Sequence, residues 1–261
     1  MSRLLILGNS HVAALKSAHG AEPGRWPGLD IAFAGAAGGA LDGLRRRGGV
    51  LEATDPEAVE QLTALNGSAR FALDGVDAVV ITGCELSMFR AVSVLRRVIW
   101  PDCVDSPGPG QVLTSRAFVR EALVTALQST LAARLAREIG GDGAVPVIVA
   151  AQPNPCWLGE DAVQLAAFLR ARRLGYATRL ARIFTEAAAA ALAPAAAFLP
   201  QPDETLRGPL FTRPKYSQGS LRLTRDMAKP HEGDDYLHAN AAYGALVLDQ
   251  LATLAGTAPR R

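Results

Sequence analysis

The chain has 261 residues, 49% of them hydrophobic and 20% charged, so it can bury a sizeable core and is not a disordered segment. Its 27 basic residues against 25 acidic ones leave a formal charge of +2, too balanced for a general nucleic-acid binder. Met1-Ser2-Arg3 leads into only four apolar residues, and no stretch reaches the roughly 20 that a membrane helix requires, which predicts a cytoplasmic protein with no membrane partner.

Cys84, Cys103 and Cys156 are odd in number and far apart, which argues against a disulfide framework and against a zinc site. No repeat or linker divides the chain, so residues 1–261 are expected to form a single domain. The sequence leaves the oligomeric state open.

In chain order, five short runs are apolar at nearly every residue and flanked by Gly, Pro or Asp: Leu4–Leu7, Leu29–Phe33, Ala78–Thr82, Val145–Ala150 and Ala195–Leu199. Such runs suit strands buried on both faces of a parallel sheet. Segments of helical period lie between them. Ser115 to Ile139 reads as one helix, with Phe118, Val119, Ala122, Leu123, Ala126, Leu127, Leu131 and Leu135 on one stripe. Its other face carries Arg116, Arg120, Gln128 and Arg134, and Gly140-Gly141-Asp142-Gly143 closes it.

This alternation predicts an α/β fold, a three-layer α/β/α sandwich around a five-stranded, mainly parallel, flavodoxin-like sheet, with ligands beyond the C-terminal ends of the strands. Two segments read as loops inserted over one site, near residues 100–113 and 200–234.

Two blocks carry chemistry. Gly8-Asn9-Ser10-His11 directly follows the first strand. A Ser at that turn exposes its hydroxyl at the sheet edge, beside the N–H groups of the following helix, although Ser is also a common N-cap there. Asp235-Tyr236-Leu237-His238 precedes a helix that Asn240 is placed to cap. An Asp three residues before a His can accept the Nδ1 proton and leave Nε2 to a serine hydroxyl. His231, just before Asp234 and Asp235, is the second choice of base, and His11 reads as a helix-start residue.

Together the blocks resemble the SGNH hydrolases, the GDSL-type esterases and lipases, in which Gly-Asp-Ser follows strand one and Asp-x-x-His precedes the last helix. The resemblance spans nearly the whole chain. It implies an ester hydrolase with an acyl-enzyme on Ser10, His238 as base and Asp235 as its orienting acid. The oxyanion would be held by the N–H groups of Ser10 and of Gly38, with Gly39 the neighbouring alternative. The family's third block is Gly-x-Asn, whose Asn donates to the oxyanion. Here it reads Gly83-Cys84-Glu85, and an ionised Glu85 accepts hydrogen bonds but does not donate them.

Asn154, after the fourth strand, is the expected substitute donor. Glu85 and Trp157 are candidate substrate-binding residues, and Trp100 falls in a loop expected to rim the site. The bases Arg207, Arg213, Lys215, Arg222, Arg225 and Lys229 are set against one acid, Asp226, and suggest a basic lid that favours anionic substrates.

By resemblance the substrate is an ester of a small acyl group, acetyl above all, on a sugar or other polar alcohol: a small molecule or a glycan. No cofactor or metal is implied. Two alternatives stand: an acyltransferase using the same acyl-enzyme, and a non-catalytic binding protein on the hydrolase scaffold.

Overall fold

The structure, a computed structural model, describes residues 1–36, 39–103 and 108–256. The elements in order are β1 (Ser2–Gly8), α1 (Val12–Ala21), β2 (Leu29–Gly35), β3 (Leu44–Arg47), β4 (Val50–Ala53), α2 (Pro56–Asn66), β5 (Arg70–Ala72) and β6 (Ala78–Thr82). Next come α3 (Met88–Leu95), β7 (Val98–Ile99), β8 (Val112–Leu113), α4 (Arg116–Gln128), α5 (Leu131–Gly140) and β9 (Val147–Ala150). The chain continues through α6 (Ala166–Arg173), α7 (Ala177–Leu192), β10 (Ala197–Leu199), β11 (Leu206–Arg207), β12 (Phe211–Thr212) and α8 (Ala241–Leu254).

The five apolar runs become β1, β2, β6, β9 and β10, paired in the order β10-β9-β6-β1-β2 with every pair parallel. Alternate residues of the strands feed two cores. Leu4, Ile6 and Val80 pack against α1 and α8, whereas Leu5, Leu7, Val79 and Ile81 pack under α2 to α5 and α7. This is the expected three-layer sandwich, and its order reverses direction between β1 and β6. A ligand crevice opens at such a point, beyond the strand ends.

Two features were not read from the sequence. A small antiparallel sheet, β3-β4-β5, lies between β2 and β6 in the chain. The helix expected over 115–139 is two helices, broken at Ser129-Thr130. Ser129 Oγ donates to the Ala126 carbonyl, and the Thr130 hydroxyl donates to Leu127 O while accepting the Ala133 N–H as the N-cap of α5. These local bonds compete with the helix ladder and turn the chain. In consequence Arg134, assigned to the outer face, reaches a cleft; Phe118, assigned to the buried stripe, is 55% exposed.

The two inserted segments are partly ordered into structure. β7 pairs with β8 in parallel, with residues 104–107 outside the described set. The second segment carries the β11-β12 ladder and a bridge from Leu221 to Pro230. Among the described residues no helix is long and apolar enough to cross a membrane, and all three cysteines are free and buried.

Candidate active site

Gly8 pairs with Thr82 across β1 and β6, where a Cβ would stand 2.5 Å from the Thr82 carbonyl oxygen, so only glycine permits this approach. The chain then turns. His11, not Ser10, takes the N-cap position of α1, and its side chain makes no cap bond. Ser10 is thereby left to face the C-terminal block. Its Oγ lies 2.9 Å from His238 Nε2, and His238 Nδ1 lies 2.8 Å from Asp235 Oδ2. Asp235 Oδ1 accepts the Leu237 N–H at 2.9 Å, which orients the carboxylate.

Asn240 caps α8 through Tyr243 N–H and donates its amide to the carbonyls of Lys215 and Gln218, anchoring the start of the helix next to His238.

The electrostatics favour an ionised acid beside neutral rings. Burial alone would push the Asp235 carboxyl up, but the Leu237 N–H, His238 and His231 together hold it below the usual carboxylate range. His11 stacks on His238 at 5.1 Å and is pushed down to about 3, first by burial and then by His238. His231 also stacks on His238, at 3.9 Å, and is lowered by burial and by His238.

His231, Asp235 and His238 bring ligand atoms within 4.8 Å of one another. However, the two imidazole planes are 11° from parallel at 3.9 Å, and in-plane lone pairs of face-to-face rings do not converge on one ion.

Beside Ser10 opens a cleft of about 590 Å³ lined by Asn9, Ser10, Gly39, Asp42, Cys84, Glu85 and, from the α4–α5 break, Ser129, Thr130, Leu131 and Arg134. One wall is the turn Gly83-Cys84-Glu85, whose φ values of 73°, 50° and 69° are all left-handed. At Gly83 a Cβ would overlap Asn9 Oδ1. At Cys84 and Glu85 the conformation costs roughly 1–2 kcal/mol each, and the turn is tied to α5 by the Ala132 N–H on Cys84 O. Burial pushes the Cys84 thiol up to about 12, so it is no nucleophile.

The other expected site residues fall as follows. Glu85 lines the cleft and pairs with Arg90 at 2.6 Å. Gly38 lies outside the described residues; its alternative, Gly39, lines the cleft. Asn154 does not reach it. Its backbone is pinned by Gln201 and Thr212, and it lines a separate cavity of about 300 Å³ with Met88, Phe198 and Gln201.

Trp157 is not an open platform, because Arg172 and Arg207 stack on its ring at 4.8 and 4.4 Å and it is absent from the cleft lining. Trp100 is buried in the core. None of the bases from Arg207 to Lys229 lines the cleft: Arg213 bonds the Leu206 carbonyl, Lys215 lies over Tyr216, and Arg222 pairs with Glu232.

Sequence reasoning passed over Asn9. Its Oδ1 accepts the His11 N–H, so its amide nitrogen is the free end, and that nitrogen has no partner among the described residues. Among the other side-chain donors of the cleft, Arg134 Nη1 is buried and also without a partner among the described residues. Ser129 and Thr130 spend their hydroxyl protons on carbonyls, and Arg134 Nη2 is held by Leu41 O and Asp42. The signal was available, since an amide side chain stands directly before Ser10.

No protein-family model matches the chain, and no curated protein matches it either. Among solved structures it is similar to a GDSL-like lipase from Bacteroides thetaiotaomicron VPI-5482, at 11% identity and a TM-score of 0.37 over 97% of this chain and 87% of that one. It is also similar to a carbohydrate esterase family 2 enzyme with a carbohydrate-binding domain from Corynascus thermopiles (Myceliophthora fergusii), at 15% identity and a TM-score of 0.34 over 98% of this chain and 67% of that one. At such low identity and TM-score neither match bears on the chemistry.

Proposed function

We propose that the protein is a serine esterase of the SGNH type that cleaves small acyl esters of polar alcohols. The observation that carries this is the continuous relay from Ser10 Oγ through His238 to Asp235, with links of 2.9 and 2.8 Å. His238 Nε2 takes the Ser10 proton as Oγ attacks the ester carbonyl, then passes it to the leaving alcohol, and a water repeats the sequence on the acyl-enzyme. Asp235 keeps the Nδ1 proton in place and offsets the imidazolium charge.

The oxyanion falls between the Ser10 and Gly39 backbone and the Asn9 amide, which takes the role that Glu85 does not fill. The lining supports the substrate class. Asp42, Glu85 and Ser129 offer acceptors and Arg134 Nη1 an unpaired donor for hydroxyl groups, while Leu131 and Cys84 are the apolar side chains of the lining. Acetyl on a sugar or similar polyol fits best.

The test is intact mass after exposure to a fluorophosphonate. One adduct is expected on the wild-type protein and none on Ser10→Ala. A folded wild-type protein that takes no adduct would overturn the reading.

A further inference from the structure

Asp235 Oδ2 lies close to two imidazoles. It lies 2.8 Å from His238 Nδ1 and 3.3 Å from His231 Nδ1, and the two rings lie face to face, centroids 3.9 Å apart. His231 comes from the second inserted segment, held there by its N–H on the Ser220 carbonyl and by the Leu221–Pro230 bridge.

The tautomer of His238 follows from its partners. His238 must present a lone pair at Nε2 to receive the Ser10 proton, so its own proton sits on Nδ1. His231 Nδ1 makes no hydrogen bond with Asp235, because two stacked rings do not both direct an in-plane N–H at one oxygen. His231 Nε2 is buried with no partner among the described residues. A lone pair is tolerated there better than the N–H of an imidazolium. The charged groups around His231 are His238, Asp235, Glu232 and Arg222, with His11 on the far side of the site. Burial, His238 and Arg222 outweigh Asp235 and Glu232, so the ring stays neutral while its neighbour cycles through its charged form.

We propose that His231 is a positioning residue: its ring face, stacked on His238, holds that imidazole in register with Asp235, so that His238 Nε2 stays directed at the Ser10 hydroxyl. The proposal rests on the esterase reading and adds a fourth residue to its relay.

Two variants isolate the stacked face. His231→Phe keeps a ring against His238, whereas His231→Ala removes it. With 4-nitrophenyl acetate, His231→Ala should lose roughly 3- to 10-fold in kcat, about the worth of one stacked pair, with KM within about twofold of wild type. His231→Phe should recover most of that loss. A His231→Ala variant with wild-type kcat, or a His231→Phe variant equally slow, overturns the proposal.

The low-field NMR signal of the Nδ1 proton between His238 and Asp235 is read in parallel. Should the wild-type protein prove inert to substrate and probe, the esterase reading has failed and this signal decides alone. Displacement or loss of it in His231→Ala sustains the positioning role, and an unchanged signal ends it.

Discussion

His11 ties the stability of the fold to acid in a way that can be measured directly. The ring is buried, its Nδ1 has no partner among the described residues, and its pKa falls from an ordinary 6.5 to about 3, mainly through burial, then through His238. Because the folded value lies below the unfolded one, the unfolded chain takes the proton first. The His11 contribution is whole above about pH 6.5 and is lost as the pH falls from there toward about 3. One proton gives a slope of about 1.4 kcal/mol per pH unit, so descending from pH 7.5 to 4.5 removes about 3 kcal/mol.

His11→Phe keeps a flat ring against His238 but has nothing to titrate. Urea unfolding of both proteins across pH 4.5 to 7.5 gives the difference between them, in which the acid losses from Asp235 and His231, present in both proteins, largely cancel. That difference should change by about 3 kcal/mol over the range. Curves that stay parallel would refute a buried, neutral His11.

Three further outcomes are expected. Asn9→Ala should lower kcat roughly 100- to 1000-fold on acetyl esters with the fold intact by circular dichroism, the cost of one oxyanion donor; an unaltered kcat assigns that role elsewhere. Glu85→Asn places a residue that tolerates left-handed backbone at φ 69° and supplies an amide donor to the cleft, so thermal unfolding should show no loss of stability and kcat should rise. A variant that is both slower and less stable contradicts this. In Gly244→Ala the new methyl overlaps the Ala14 carbonyl of α1, which no rotamer relieves, so the urea midpoint should fall by the equivalent of about 1–3 kcal/mol. An unchanged midpoint would mean that α1 and α8 are further apart than described.

The fold was legible because its central strands are apolar on both faces and bounded by turn residues, a pattern that leaves few alternatives to a parallel sheet. Ser10, His238 and Asp235 were legible because each sits where one element hands over to the next. The remainder of the cleft was not. A continuous apolar stripe over 115–139 predicts one helix, and only the hydroxyls of Ser129 and Thr130 reveal the turn that delivers Arg134. Asn154 was placed by its strand, yet it stands two strands from Ser10 across β6. Four of the six bases of the 207–229 segment, counted as free charge, are spent on aromatic rings, a carbonyl and one acid. That segment's contribution is the imidazole at its end, which composition does not reveal.

Ser10 and His238 stand 228 residues apart in the chain and meet only where α1 and α8 pack side by side. During synthesis the Ser10 hydroxyl therefore emerges early as an ordinary alcohol. It gains its partner only after every strand of the central sheet has been made and α8 has docked. On the esterase reading, activity is thus coupled to completion of folding, and a ribosome-bound or prematurely terminated chain ending before Asp235 presents the cell with an inert serine.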